Sequence, residues 1–145
     1  VIVLDTNVIS EIMRPADKRS TAVFSWLRSL DPAIAYTTSV SVAEIETGIH
    51  QMPQGRRRDD MASGAGRVFS GLFGGRILPF DADAARHYAP LMAARRPIGR
   101  HHEHVLDLQI AAIARSRDCA VATRNVSDFA DAGVPLINPW DHPAP

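Results

Sequence analysis

The sequence is poor in cysteine, in lysine and in long apolar runs. Its lone cysteine, Cys119, cannot form an internal disulfide, which favours a protein of the reducing cytoplasm. No apolar run reaches the roughly 18 residues that a membrane-spanning helix requires. No basic-then-apolar leader opens the chain either, so we expect a cytoplasmic protein that is neither secreted nor inserted in a membrane. The single lysine, Lys18, argues against chemistry that needs a lysine in the catalytic site.

Arginine supplies nearly all of the positive charge. The 16 basic residues balance 16 acidic ones, for a net charge of zero, and every basic residue except Lys18 is an arginine. Because a guanidinium can bind phosphate or carboxylate with two parallel hydrogen bonds, this excess is compatible with a nucleic-acid or acidic-peptide partner. A bias in codon usage explains the excess at least as well.

Apolar segments of strand length alternate with segments of helix length along the chain. The predicted strands cover residues 1–5, 33–39, 76–80, 119–123 and 134–140, and the predicted helices cover about 7–13, 20–30, 40–52, 81–96 and 105–117, with a helix pair over 54–73. This alternation is typical of a mainly parallel sheet with helices on both faces. We therefore predict an α/β fold, a three-layer α/β/α sandwich, in which residues 1–140 form one domain and residues 141–145 a short tail.

Acidic or amide side chains occur at four places where the neighbouring sequence is apolar. Asp5 ends the first predicted strand, Glu44 and Asp107 lie near the starts of two predicted helices, and Asn125 and Asp128 come shortly after a predicted strand. Burying an unpaired carboxylate costs on the order of several kcal/mol, so each group needs a cation, hydrogen-bond donors or a cavity. Because the carboxyl ends of parallel strands meet at one edge of a sheet, we expect these side chains to converge there.

Such a convergence of carboxylate and amide oxygens predicts a divalent metal ion. Oxygen ligands without cysteine suit Mg²⁺ or Mn²⁺ better than Zn²⁺. A site of this kind can activate water for attack on phosphorus, as in metal-dependent nucleases and phosphatases. Taken singly, each residue also has a plain structural interpretation: Asp5 as a helix cap, Glu44 as a surface residue, and Asn125 with Asp128 as a polar turn.

Four stretches of the sequence form a specific series. They are LDTNVISE (4–11), TTSVSVAEIETGI (37–49), LDLQIAAIA (106–114) and ATRNVSDF (122–129), with RILPFDADAARHYA (76–89) and LINPW (136–140) in the linking regions. Each stretch alone is a weak signal, whereas four in this order and spacing are specific. Together they resemble the PIN domain, in particular the toxins of the VapC and FitB type, over residues 1–140.

The resemblance implies a metal-dependent endoribonuclease that hydrolyses RNA phosphodiester bonds with a metal-activated water and acts as the toxin of a toxin–antitoxin pair. It implies a Mg²⁺ or Mn²⁺ cofactor, a homodimer, and a cognate antitoxin that inserts a C-terminal segment into the acidic groove and forms a larger assembly. The matching residues are Asp5, Glu44 and Asp107 as catalytic metal ligands, Asn125 at the fourth, usually acidic, ligand position, Asp128 as a further catalytic acid, and Thr6, Asn7, Thr123 and Arg124 in support. Candidates for contact with the RNA backbone are Arg14, Arg86 and Arg124.

Three features leave other interpretations open. The stretch His101–His104 departs from the family pattern and is either a solvated loop or a set of transition-metal ligands. Asn125 carries no negative charge, which keeps open a PIN-like module that binds RNA or a partner protein without cleavage. A phosphatase with Asp5 as nucleophile is disfavoured, because that class needs a second acid where Asn7 stands and a lysine after Lys18.

Overall fold

The computed structural model describes residues 1–100 and 102–143, and a parallel sheet lies at its centre. The strands are β1 (Ile2–Leu4), β2 (Ala35–Thr38), β3 (Ile77–Leu78), β4 (Ala120–Ala122) and β5 (Leu136–Ile137). Their order is β3-β2-β1-β4-β5, and all neighbours pair in parallel. In the register of the sheet, Ile2 of the central strand lies opposite Ala35 on one side and Ala120 on the other. Each predicted strand is present in shortened form.

Among the described residues, six α-helices connect and flank the strands. They are α1 (Thr6–Ile12), α2 (Thr21–Ser29), α3 (Ser39–His50), α4 (Arg56–Gly66), α5 (Ala82–Arg95) and α6 (Val105–Ser116). The predicted helices other than the pair over 54–73 are confirmed, with ends that differ by at most two residues. None of the helices in the described part of the chain is both long enough and apolar enough to cross a membrane.

The predicted helix pair over 54–73 is instead one continuous helical segment. At Gly66, α4 passes into a π-helical turn, Arg67–Leu72, after which the Phe73 N–H donates to the Val68 carbonyl oxygen at 3.0 Å. Val68 and Phe73 are buried in the core beside the sheet. Continuous hydrogen bonding along the segment satisfies backbone groups that a break between two helices would leave unpaired.

Helices cover both faces of the sheet, because successive residues of a strand point to opposite sides. On one face Val3 and Val121 pack with α5 and α6, including Ile113. On the other face Leu4 and Ala122 pack with residues of α1, α2 and α4. This arrangement confirms the predicted three-layer α/β/α sandwich.

Two strands lead directly into helices at the carboxyl edge of the sheet. Asp5 follows β1 and caps α1 through its side chain, which accepts a hydrogen bond from the Thr6 N–H. Thr38 ends β2 and caps α3, since its hydroxyl oxygen accepts a hydrogen bond from the Ser41 N–H at 3.1 Å. Such caps satisfy N–H groups that the first turn of a helix leaves unpaired. The starts of α1 and α3 are therefore held side by side, with no flexible loop before either.

We expect Ile113→Ala to destabilise the fold by about 2–5 kcal/mol, because Ile113 is completely buried and its truncation leaves a cavity. Ile98→Ala is the matched control: Ile98 is 63% exposed, and its truncation should change the free energy of unfolding by less than about 0.5 kcal/mol. Urea denaturation measures both values. Equal effects of the two substitutions would contradict the placement of α6 in the core.

Candidate active site

Asp5 is the buried centre of a group of acidic side chains at the carboxyl edge of the sheet. It is 3% exposed, and its Oδ1 accepts a hydrogen bond from the Thr6 N–H at 2.8 Å. Its Oδ2 accepts a hydrogen bond from the Thr123 hydroxyl, also at 2.8 Å. These two bonds orient the carboxylate but use only about half of its lone-pair sites. The remaining sites can bind a cation.

Thr123, the residue after β4, joins the chain segments that follow the two central strands. It is fully buried, and its hydroxyl oxygen accepts hydrogen bonds from Asn7 Nδ2 at 3.2 Å and from the Asn125 N–H at 3.0 Å. Asn7 Oδ1 in turn accepts a hydrogen bond from the Arg124 N–H at 3.3 Å. Because a threonine hydroxyl has one proton, these two donors leave Thr123 to donate that proton to Asp5. The predicted supporting residues thus form one hydrogen-bonded network around Asp5.

Glu44 reaches the same edge from α3, and hydroxyl groups link it to α1. Its Oε1 accepts a hydrogen bond from the Thr6 hydroxyl at 2.8 Å, and Thr6 Oγ1 lies 2.9 Å from Ser41 Oγ. Since Thr6 gives its only proton to Glu44, Ser41 donates to Thr6. Thr6 therefore contacts two acids at once, Asp5 through its backbone N–H and Glu44 through its hydroxyl.

Asp107, in the first turn of α6, faces Asp128 across the imidazole of His104. His104 Nδ1 lies 3.5 Å from Asp107 Oδ2, and His104 Nε2 lies 3.5 Å from Asp128 Oδ1. One ligand atom from each of these three residues lies within 4.8 Å of the others. His104 starts the helix with a left-handed backbone (φ 49°), which is uncommon for a residue with a side chain. This spacing is compatible with three ligands of one metal ion.

Burial of the acids, and to a smaller extent their mutual repulsion, raises their pKa values. The pKa of Asp5 is raised to about 6, first by burial and also by the nearby charges of Asp107 and Glu44, although two hydrogen bonds act in the opposite direction. The pKa of Asp107 is also raised, first by burial and then by the charges of Glu44 and Asp128. A divalent cation would relieve this repulsion. The donor set of carboxylate oxygens fits Mg²⁺ or Mn²⁺.

From the segment after β4, Asp128 presents its carboxylate toward Asp107, whereas Asn125 is exposed. Asn125 contributes its backbone N–H to the network through Thr123. Asp128 thus supplies the negative charge that Asn125 lacks. The assignment of Asn125 as a metal ligand stays a prediction.

Of the arginines predicted to contact RNA, Arg124 lies at the site and Arg86 does not. The Arg124 guanidinium stacks over the Trp140 ring at 5.2 Å, beside the network around Thr123. Arg86 lies in the first turns of α5, about 14 Å along the helix axis from Arg95. Arg95 lies at the other end of α5, where its guanidinium donates to the Asp128 carbonyl oxygen. The expectation that Arg86 contacts RNA at this site is therefore not supported.

Arg14 lies just beyond the end of α1, about two helical turns from the acids at its start. Its Nη1 is 3.3 Å from Glu11 Oε2, in a partly exposed ion pair. Glu11 is itself buried and accepts a hydrogen bond from the Ser20 N–H, which ties the end of α1 to the start of α2. The role of Arg14 in RNA contact stays a prediction.

Arg95 was missed from the sequence, and His104 was considered only within residues 101–104, as part of either a solvated loop or a set of transition-metal ligands. His104 lies three residues before Asp107, a spacing that places two side chains on one side of a helical turn. That spacing was a usable signal; His101 lies outside the described residues. Arg95 carried no local signal, because the groups that it binds lie 8, 33 and 36 positions away.

Comparison with known proteins finds relatives over nearly the whole length of the chain. The model of the family described as PIN domain matches residues 2–134. The VapC ribonuclease Y4jK of Sinorhizobium fredii is 42% identical over 142 residues, which cover 97% of this chain and 99% of that protein. The toxin FitB of Neisseria gonorrhoeae is 36% identical over 140 residues, which cover 97% of this chain and 99% of that protein.

Solved structures show the same relationship. A chain in the structure of FitAB bound to the IR36 DNA fragment superposes with a TM-score of 0.86 at 35% identity, covering 99% of this chain and 98% of that chain. The crystal structure of FitAcB from Neisseria gonorrhoeae gives a TM-score of 0.82 at 35% identity, covering 97% of this chain and 99% of that chain. In each comparison the similarity thus extends over nearly the whole length of both chains.

We expect the metal-free protein to lose stability as the pH rises through about 6, because Asp5 then ionises in a buried, acidic site. The pKa of this carboxyl is higher in the folded chain than its ordinary value of 3.8. Its protonation therefore stabilises the fold fully below about pH 4, and this contribution is lost as the pH rises through the folded-state value.

The measurement is urea denaturation in EDTA of the wild type and of Asp5→Asn, which cannot ionise at this position. Relative to the variant, the wild-type free energy of unfolding should fall by about 1 kcal/mol between about pH 5 and pH 7.5. A difference between the two proteins that stays constant over this range would contradict the raised pKa of Asp5.

Proposed function

Because this chain belongs to the PIN domain family, we propose that it is a divalent-metal-dependent endoribonuclease and the toxin of a toxin–antitoxin pair. The observation that carries the proposal is two pairs of acids at the carboxyl edge of a parallel sheet. Thr6 hydrogen bonds to both Asp5 and Glu44, and His104 lies between Asp107 and Asp128. Relatives named as a VapC ribonuclease and as toxin FitB, each similar over almost the whole chain, support it. The substrate proposed is RNA, cleaved at its phosphodiester bonds.

The proposed metal ligands are Asp5, Glu44 and Asp107, with Asp128 or Asn125 completing the site. Carboxylate oxygens favour Mg²⁺ or Mn²⁺ as the ion. When bound, such an ion supplies positive charge at the phosphate and lowers the pKa of the attacking water. Burial raises the pKa of Asp5 and of Asp107, and nearby carboxylates raise both further. A bound cation would offset both effects, and this property of the chain favours its binding.

The neutral side chains hold the acids in a fixed arrangement. The hydroxyls of Thr123 and Thr6 each donate to one carboxylate, and such outer contacts keep metal ligands in position. His104 lies between two of the acids and can hold a proton at Nδ1 or Nε2 near the reacting phosphate. Arg124, at the rim, is placed to bind the RNA backbone.

The proposed protein partner is an antitoxin. One solved relative, 28% identical with a TM-score of 0.63, belongs to the VapBC family of toxin–antitoxin systems of Mycobacterium tuberculosis. An antitoxin segment that inserts an arginine among the four acids would offset part of their negative charge, because a guanidinium binds a carboxylate with two parallel hydrogen bonds. A homodimer, and a larger assembly with the antitoxin in the cytoplasm, complete the proposal.

We expect Asp107→Asn to lower the rate of Mn²⁺-dependent RNA cleavage by at least about 100-fold, because it removes the charge of a proposed metal ligand. Asp83→Asn is the control: Asp83 is an exposed acid, paired with Arg86 in the first turn of α5 and away from the site. Cleavage of a labelled RNA, with circular dichroism of each variant, measures the effect. Wild-type cleavage by Asp107→Asn would remove Asp107 from the site, and Mn²⁺-independent RNA binding without cleavage by the wild type would favour a binding module.

Expression in a bacterial host tests the proposed role as a toxin. The wild-type chain should arrest growth, and Asp5→Ala should relieve the arrest, because it removes the central carboxylate of the acid group. The control variant Asp83→Ala should still arrest growth. Continued arrest by Asp5→Ala, at a protein level equal to that of the wild type, would contradict an arrest that depends on this site.

A further inference from the structure

Arg95, the last residue of α5, is a fully buried guanidinium beside the acid group. It is 1% exposed, and its Nε and Nη2 donate to the two carboxylate oxygens of Asp131 at 3.0 and 2.9 Å. Its Nη1 donates to the Glu103 carbonyl oxygen at 3.0 Å, and Nη2 also donates to the Asp128 carbonyl oxygen at 3.2 Å. Every nitrogen of the guanidinium is therefore hydrogen bonded.

The two carbonyl groups belong to the chain segments that carry proposed site residues. Glu103 directly precedes His104, the residue at the start of α6, and Asp107 lies in the first turn of that helix. Arg95 holds Asp128 directly, through a hydrogen bond to the backbone carbonyl oxygen of Asp128. One rigid, planar group thus joins the start of α6 to the turn at Val126–Phe129, across 25 positions of sequence between Glu103 and Asp128.

We propose that Arg95 is a positioning residue of the metal site, which holds Asp107 and Asp128 at the separation that a shared cation requires. This inference rests on the proposed function only in taking Asp107 and Asp128 as neighbours of that cation. Arg95 contacts the backbone behind the acids, and it binds Asp131 rather than either of the two acids, so it does not compete with the cation for their oxygens.

Stability alone is a poor explanation for this ion pair. The Arg95 side chain is 1% exposed and that of Asp131 is 37% exposed. The partly solvated carboxylate therefore does little more than offset the cost of taking the guanidinium out of water. The pair does fix geometry, because a guanidinium with four directed hydrogen bonds has little freedom to move. Displacement of a ligand by about 1 Å is enough to impair a metal site or a catalytic site.

Arg100 provides a matched control in the loop that follows α5. Its Nε lies 3.1 Å from Glu103 Oε2, and its Nη1 lies 4.0 Å from Asp131 Oδ2. It therefore approaches two of the residues that Arg95 binds, but it is partly exposed and its guanidinium contacts side chains instead of the two carbonyl groups. Arg100→Lys removes the guanidinium without loss of charge, as Arg95→Lys does.

The test compares Mn²⁺ binding by the full-length wild type, Arg95→Lys and Arg100→Lys, measured by titration of free Mn²⁺ with electron paramagnetic resonance. A lysine ammonium cannot span Asp131 and both carbonyl groups, so Arg95→Lys should weaken Mn²⁺ binding about 10- to 100-fold. It should also lower kcat for RNA cleavage and leave KM nearly unchanged. Arg100→Lys should stay within about twofold of the wild type, the range expected of a surface substitution.

A second variant guards against failure of Arg95→Lys to fold, which circular dichroism detects. Asp131→Asn keeps the guanidinium and both carbonyl groups but weakens the pair that orients Arg95, and we expect a smaller loss of Mn²⁺ affinity. Wild-type Mn²⁺ affinity in folded Arg95→Lys, or in Asp131→Asn if the first variant does not fold, would overturn the inference.

The outcomes for the inference and for the proposed function are distinct. Wild-type protein that binds Mn²⁺ without cleaving RNA would overturn the nuclease proposal, while the comparison of Mn²⁺ affinities would still decide the role of Arg95. Wild-type protein that cleaves RNA, together with a folded Arg95→Lys variant of unchanged affinity, would overturn the role of Arg95 alone. Wild-type protein that binds no Mn²⁺ would overturn both.

Discussion

The burial of the Asp5 carboxylate, close to other acids, is the constraint on which the rest of the site depends. Asp5 is 3% exposed at the end of the central strand, and its burial raises its pKa first, followed by the nearby charges of Asp107 and Glu44. Such an arrangement opposes folding unless other interactions offset it. The apolar layers on both faces of the sheet provide that stability, because they bury large aliphatic and aromatic side chains away from the charged edge. The structure thus separates the source of its stability from the place where a cation can bind.

The carboxyl edge concentrates these acids because of how the chain leaves the sheet. β1 and β2 pass into α1 and α3 at capping residues, so Thr6 and Glu44 meet without a loop between strand and helix. After β4, the buried hydroxyl of Thr123 links this strand to the start of α1, because it donates to Asp5 and accepts a hydrogen bond from Asn7. Substitution of any residue in this network should be costly, because a buried polar group that loses its partner destabilises the fold by more than the hydrogen bond had contributed. The same cost disfavours other arrangements of these side chains.

Much of this architecture could be predicted, and the exceptions have physical causes. Strands and helices show in the sequence because the spacing of apolar residues is a local property. The helical segment at 54–73 was misjudged, because glycine propensities suggest breaks that core packing of Val68 and Phe73 overrides. Asp5, Glu44 and Asp107 could be singled out as candidates because a carboxylate within an apolar segment needs an explanation, and their role as metal ligands stays a prediction. The extent of the predicted domain, residues 1–140, stays a prediction.

The sequence by itself determined the order of strands and helices, the parallel fold and the presence of acids at the ends of its elements, since these follow from periodicity and residue type. Only the tertiary structure decided that Asp128 faces Asp107, that His104 lies between them and that Arg95 is buried behind them. The reason is that hydrogen bonds and burial depend on neighbours in space. For Arg95, two of those neighbours lie 33 and 36 positions away along the chain, so no local sequence pattern could predict these contacts.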